Sequence, residues 1–346
     1  MAVSINGTNG VTFNDGTAVG TAASLGVRNK IINGAMEIDQ RNAGASVTQT
    51  TANLYTVDRW VVCGSVTSKF TAQRNAGSVT PPAGFINYLG ITSSSSYSVL
   101  TGDFFYVMQG IEGFNVADLG WGSANAKTIT VSFWVRSSLT GSFGGALRNL
   151  IAGATRSYPF TYTVNSANTW EQKTLTISGD TSGTWATDNT NSLTVCFGLG
   201  AGSTYTGTAG AWSGSNHTQS NSTASVVGTN GATWYVTGVQ LEVGSVATPF
   251  ERRLYTQELA MCQRYYYEQQ VELQGGSTGS FLQRYNFPVP MRATPTVANK
   301  TAGTLSNTII ATEAGNLNSN GFYFQITNSA INGFTIGRVN TISAEL

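Results

Sequence analysis

Charge is scarce in this chain. Of 346 residues only 10% are Asp, Glu, Lys or Arg, against roughly 25% in ordinary globular proteins. The formal net charge is +1, so no long-range field draws in nucleic acid or an anionic surface. Neither nucleic-acid binding nor membrane insertion is expected. Histidine occurs once, as His217, inside the polar run WSGSNHTQSNST, which reads as a solvated loop. A catalytic Ser-His-Asp or Cys-His arrangement needs its histidine buried beside a nucleophile, and zinc needs several clustered His or Cys ligands. No GxxxxGK[ST] phosphate cradle is present. The three cysteines, Cys63, Cys196 and Cys262, lack CxxC spacing and are odd in number, which argues against a disulfide framework. A single Cys63–Cys196 bridge stays open, because both lie in strand-like runs. No apolar run approaches the roughly 20 residues of a membrane-spanning helix. The opening MAVSINGTNG has no basic or apolar region of a secretion signal.

What is abundant points the other way. Hydrophobic residues make up 40%, with 16 Phe, 14 Tyr and 7 Trp, ample for a packed core and contrary to disorder. The polarity comes from Gly, Ser, Thr and Asn, the residues of turns and sheet surfaces. This is the composition of a rigid extracellular or virion-type β protein. Residues 128–136, TITVSFWVR, alternate strictly, with Ile129, Val131, Phe133 and Val135 on one face. Leu193, Val195, Phe197 and Leu199 repeat the pattern, as do Leu175 and Ile177, and WYVTGVQLEV over 234–243 is a further strand. Many strands with turn residues between them predict an all-β sandwich or jelly roll over residues 28–252.

Residues 1–27 are polar with isolated apolar positions and Asn-Gly and Asp-Gly steps (Asn6-Gly7, Asn9-Gly10, Asp15-Gly16), which are hairpin signals. One helix is expected over Thr256–Tyr266, with Thr256 as cap, Glu258 at the positive end, and Leu259, Cys262 and Tyr266 on one stripe. Residues 253–346 are read as this linking helix plus a small C-terminal β domain. Its expected strands cover 280–289, 296–299, 321–327 and 333–339, and Pro288, Pro290 and Pro295 confine their stretch to edges or crossovers. So small a unit is marginal alone, and packing against copies of itself would relieve that. A homotrimer is the expectation.

Two motifs carry a resemblance: NKIINGAMEIDQRNAG followed by YTVDRW, over residues 29–60, and TPFERRLYTQELAMCQRYYYE over 248–268. Together with the ending SAEL they resemble a family of bacteriophage tail fibre or tail-associated virion proteins. The resemblance implies a galactose-binding-like, carbohydrate-binding jelly roll. It implies that residues 1–27 attach the module to other virion proteins or to a trimeric stalk, and that the chain resides in the virion. It also offers a structural calcium ion, with Glu37 matching the carboxylate of the first strand; the stretch Tyr235–Val239 lacks the acids commonly found in the last. Otherwise no cofactor is expected. Asp58 and Arg59 would form a local ion pair or anchor a loop, and Glu251, Arg252 and Arg253 are expected to serve structure.

The stretch 200–232 is the candidate ligand site. Loops of this length are uncommon in compact domains and are usually functional or disordered. Tyr205 and Trp212 offer ring faces for the C–H face of a sugar, and Asn216 and His217 lie among the amides and hydroxyls that pair with sugar hydroxyls. The other reading has this stretch cover a neighbouring subunit, with Trp212 buried there. A glycosidase needs two flanking carboxylates, and Asp103, Glu112, Asp118, Asp180 and Asp188 show no recognisable pairing, so no catalytic residue and no enzyme activity are expected. The expected function is that of a tail fibre or receptor-binding module adhering to host-surface glycan. Its rivals are a capsid decoration or head-fibre protein bound to the capsid shell and, third, a polysaccharide depolymerase.

Overall fold

The computed structural model describes residues 27–346 and, nearer the N-terminus, three short strands: β1 (Ser4–Asn6), β2 (Gly10–Thr12) and β3 (Ala18–Val19). Strand β2 pairs antiparallel with both neighbours. The attachment role expected of residues 1–27 otherwise falls outside the described residues.

The central unit is built from β4 (Val47–Thr48), β5 (Leu54–Tyr55), β6 (Val61–Gly64), β7 (Phe70–Arg74), β8 (Leu89–Ser93), β9 (Phe104–Glu112), β10 (Ile129–Ser137), β11 (Gly141–Asn149), β12 (Arg156–Val164), β13 (Glu171–Ile177), β14 (Asn191–Ala201), β15 (Thr206–Gly207), β16 (Gln219–Ser220) and β17 (Thr233–Val243). One sheet has the order β13-β10-β17-β8-β7-β4 and the other β12-β11-β14-β9-β6-β5. Leaving aside β15 and β16, which pair in a small sheet of their own, the chain from β8 to β17 changes sheet at each step except the β11–β12 hairpin, and the last strand inserts between β8 and β10. That path is a jelly roll. The earlier hairpin strands only widen each sheet at one edge.

Strict alternation puts Ile129, Val131, Phe133 and Val135 of β10 and Leu193, Val195, Phe197 and Leu199 of β14 wholly inside. The two rows meet across the sandwich, with the Phe133 and Phe197 ring centroids 5.0 Å apart. Trp60 and Trp234 are fully buried in the same core, and the Trp234 indole donates to the Tyr162 hydroxyl at 2.9 Å. Strand β9 has no alternation to read, because both its faces are covered: Val107 and Ile111 face the core while Tyr106 and Met108 are buried on the other side.

The helix forms over Tyr255–Gln263 rather than Thr256–Tyr266. Leu254, not Thr256, occupies the cap position, and the Gln257 side chain receives its N–H at 3.2 Å. The buried stripe is Leu259, Cys262 and Tyr265, packed on Ile32 and Ile38. Tyr266 has left the helix and opens β18 (Tyr266–Gly275). Then come β19 (Gly279–Asn286), β20 (Thr296–Thr301), β21 (Thr304–Ser306), β22 (Thr308–Asn318), β23 (Gly321–Asn328) and β24 (Gly333–Ser343). Sheets β18-β24-β20, with β21 also on β24, and β19-β23-β22 enclose a second core of Tyr267, Val271, Phe287, Phe322, Phe324 and Ile342. The three prolines fall between β19 and β20, where no ladder N–H is needed. Among the described residues no helix is long and apolar enough to cross a membrane.

Candidate functional site

The two sequence motifs fold into one structural hub at the base of the sandwich. The Asn33 carboxamide accepts from Ile38 N (3.0 Å) and donates to the carbonyls of Ile38 (2.8 Å) and Asp58 (2.9 Å). The Asn33 carbonyl accepts the Trp60 indole N–H at 3.0 Å. Asn33 takes a left-handed φ of 57°, which asparagine tolerates. Gly34 lies against β17: a β-carbon there would come within 2.2 Å of the Val239 carbonyl oxygen. From the second motif, the Glu251 carboxylate accepts the N–H groups of Arg28 (3.0 Å) and Asn29 (2.9 Å), and Arg253 donates to Ile31 O at 3.0 Å.

Asp58 and Arg59 do not pair with each other. Arg59, 1% exposed, bonds Glu345 near the C-terminus and the Gly110 carbonyl (2.8 Å), and its guanidinium stacks 3.6 Å above the Tyr265 ring. Asp58 accepts from Gln40, at 3.0 Å from its backbone N–H. Burial outweighs that hydrogen bond and pushes the Asp58 carboxyl up to about 6. Both residues lie in one turn, with Arg59 at a left-handed φ of 72°, and their side chains find separate partners.

Glu37 lies half-buried at the edge of this hub, in a cavity also lined by Glu251, Arg252, Arg253 and Glu258. Burial raises its carboxyl, with Glu258 adding to the rise and Arg252 opposing it. The residues present do not make a calcium cage. Glu251 and Glu258 are taken by backbone N–H groups and Arg253, two arginines share the cavity, and among the described residues no group of three Asp, Glu, His or Cys side chains could hold a metal. Glu242, buried in β17, is likewise committed, accepting from Thr248 N (2.8 Å) and Oγ1 (2.7 Å).

The outer face of the second sheet is the candidate binding face. Strand register puts Cys63, Tyr106, Gly198 and Gly144 in one row, and Val61, Met108, Cys196 and Ala146 in the next. The stretch 200–232, expected to be a loop, begins within the end of β14, and its remainder folds back onto the sandwich. Val226 and Val227 enter the core, β15 pairs with β16, and Gln219–Ser220 lie directly on the glycines. A β-carbon at Gly198 would come within 2.0 Å of Gln219 Oε1, and one at Gly144 within 2.6 Å of Ser220 Oγ. Cys63 and Cys196 sit on strands separated by β9, about 10 Å apart at two strand spacings, beyond disulfide reach. All three thiols are free and buried, and burial pushes Cys196 up to about 11.

Tyr205, Asn216 and His217 converge here. Tyr205 meets Phe104 edge-on at 4.9 Å, and Phe104 stacks on Tyr106 at 5.5 Å. Both Phe104 and Tyr205 are half-exposed. The Tyr205 carbonyl accepts Thr218 N at 2.8 Å, which ties its backbone to the segment that carries exposed Asn216 and half-buried His217. His217 Nδ1 lies 3.3 Å from both Ser157 Oγ and Ser213 Oγ. Burial, with Arg148 nearby, lowers its pKa and keeps the ring neutral. Arg148 had no signal in the sequence, being one arginine in a glycine-rich strand; it reaches Asn216 from below.

Trp212 goes elsewhere. It packs with Trp121 (5.2 Å), Trp185 (5.5 Å) and Tyr158 (5.3 Å), and its indole donates to Ser178 O at 2.8 Å. The cluster pins three loops to the sandwich, with Trp121 nearly buried and Trp185 and Trp212 half-exposed. The five unpaired-looking acids are also committed. Asp180 holds Arg156 through two 2.7 Å bonds, Glu112 holds Arg264 (3.1 and 2.9 Å), and Asp118 meets Lys30 at 3.0 Å. Asp103 binds Ser65, Tyr97 and Leu100 N, each at 2.8 Å, and Asp188 caps Thr190 N at 2.9 Å.

No protein-family model and no curated protein matches the sequence. Among solved structures, the chain is similar to the enzymatically active domain of tailspike protein 4 from bacteriophage CBA120, with 12% identity, TM-score 0.34, and coverage of 62% of this chain but only 21% of that one. It is similar to a family 11 carbohydrate-binding module from Clostridium thermocellum, in complex with a β-1,3-1,4-mixed-linked tetrasaccharide (11%, 0.30, 60% of this chain and 100% of that one). A xylan-binding domain from Paenibacillus barcinonensis matches at 14% and 0.31, over 54% and 92%. Likenesses this distant carry nothing about function.

Proposed function

We propose that this chain is a phage virion structural protein, a tail fibre or receptor-binding module whose jelly roll adheres to host-surface glycan. One observation carries the reading: half-exposed Phe104 and Tyr205 pack edge-on on the outer face of the second sheet, the face onto which Asn216 reaches through Arg148 and beside which His217 lies. Ring faces beside amide, imidazole and hydroxyl groups are what a pyranose needs. Low charge and many small polar residues suit a particle-surface protein. In this reading the protein acts by binding, and the five acids weighed for catalysis serve as hydrogen-bond and ion-pair partners. Exposed Leu282, Leu305, Ile309, Ile331 and Ile336 on the C-terminal unit favour self-association as a homotrimer, with residues 1–27 joining other virion proteins.

The test is binding of the purified chain to isolated host surface polysaccharide, together with its location in a virion reconstruction. Saturable binding without release of reducing ends is the expected result. Location on the capsid shell with no polysaccharide bound would move the assignment to a decoration protein. Sugar release lost on changing one Asp or Glu would move it to a depolymerase.

A further inference from the structure

Arg148 is a buried cation among neutral groups. It projects from β11 onto the outer face of the second sheet and is 4% exposed. Its neighbours are the Cys196 thiol (Nη1 to Sγ 4.0 Å), the Tyr106 ring (5.8 Å), the Asn216 carboxamide oxygen and His217. The thiol, the phenol and the imidazole all stay neutral near pH 7, the first two because burial raises them and the third because burial lowers it. Among the described residues no carboxylate pairs with Arg148, and its Nε has no partner. A buried guanidinium without a counter-charge is expensive, and an anion seated there would offset that cost; the missing counter-charge marks the site, since an unpartnered Nε is shared by the ion-paired Arg41, Arg59 and Arg253.

Resting on the glycan-binding reading, we infer that Arg148 is an anion-recognition point, taking the carboxylate of an acidic sugar held on the Phe104–Tyr205 platform. Asn216 stands in for that ligand. Its neutral amide oxygen occupies one donor of the guanidinium from an exposed loop position, where a carboxylate oxygen would bind more strongly. Guanidinium geometry suits a two-oxygen anion, and Ser157, Ser213 and His217 supply further polar groups alongside.

The experiment titrates the full chain with oligogalacturonate, with its fully methyl-esterified form, and with inorganic phosphate. The ester keeps the sugar backbone and removes the charge. The expected result is at least tenfold weaker binding of the ester. Arg148→Met should abolish that preference while the melting temperature holds or rises, because an unpaired buried charge is removed. Arg148→Lys should keep part of the preference, and Asn216→Ala should tighten oligogalacturonate. Charged and esterified oligomers binding alike would overturn the inference and leave the glycan reading standing. Phosphate binding through Arg148 with neither oligomer bound would keep the anion site and remove the glycan reading. An Arg148→Met chain that melts lower yet still prefers the charged oligomer would also overturn it, by making Arg148 purely structural.

Discussion

At the base of the sandwich, Arg41 and Arg59 share Glu345, Arg264 takes Glu112, and Arg253 lies between Glu251 and Glu258. On the outer face of the second sheet, Arg148 has only neutral neighbours. Both regions bury arginine. The base neutralises it within the chain and thereby ties the sandwich, the helix and the C-terminal strands together. The face leaves it waiting. The difference separates what the chain needs to fold from what it holds ready for a partner, and each change below tests one side of that division.

The largest effect belongs to the base. Arg59→Ala leaves Glu345 to Arg41 alone, strips the Gly110 carbonyl of its donor and empties the stack over Tyr265, so about 3 kcal/mol of stability should be lost, the low end for removing one partner of a buried ion pair. Chemical denaturation should show the lower midpoint. Glycan binding by the fraction still folded should be unchanged, and a loss of binding without a loss of stability would place Arg59 on the wrong side of the comparison.

Asp58 gives the next effect, with a sign that runs against ordinary acid denaturation. Its carboxyl rises from 3.8 to about 6 on folding, so between those values the folded state holds the proton more tightly. Stability from this group is fully present below about pH 4 and lost as pH climbs past about 6. At about 1.36 kcal/mol per unit the swing is up to about 3 kcal/mol. Carboxylates held low in the folded chain, such as Glu171, push the opposite way at low pH. The readout is therefore the difference in unfolding free energy between the native chain and Asp58→Asn, which should change across pH 4 to 6; a flat difference would rule the shift out.

Trp212→Ala follows. The ring packs on two tryptophans and a tyrosine but is only half-buried, so the cost should be about 2–3 kcal/mol, under the roughly 3–5 of a fully enclosed aromatic. Melting should fall and glycan binding at low temperature should persist. Binding lost with melting unmoved would return Trp212 to the ligand platform, where its place in the loop first put it.

How much of this was legible in the sequence depended on whether a residue's role left a local pattern. Strands β10, β14 and β17 announced themselves because large apolar residues alternate with small or polar ones, although β14 and β17 are buried on both faces. Strand β9 did not, since large apolar side chains fill both its faces, and β11 carried no pattern because glycines make room for Gln219–Ser220. Tyr266 fitted a helical stripe by spacing, but the chain turns after Gln263 and gives that place to Tyr265. The two motifs were conspicuous because a hub needs Asn33, Gly34 and Arg59 at fixed positions. Tyr205, Asn216 and His217 were found by composition alone, and the fold brings them together. Arg148 was invisible: nothing local distinguishes an arginine that lacks a partner from one that has a distant one, as Arg59 has.

The smallest effect on stability, and the sharpest on function, is expected at Tyr205. Its ring leans on Phe104 with one side in solvent, while its backbone is held by Thr218 independently of the side chain. Removing the ring should therefore cost under about 1 kcal/mol of stability, the scale of a single aromatic edge contact. If the platform binds sugar, Tyr205→Ala should weaken binding to host polysaccharide by about 1–3 kcal/mol, the loss of one aromatic anchor, and Phe104→Ala should do the same at a larger cost in stability because Phe104 also stacks on Tyr106. Calorimetric titration beside a melting curve separates the two quantities. A Tyr205→Ala chain that binds glycan as the native chain does would move the binding face off this sheet, and the contrast with the base would then rest on Arg148 alone.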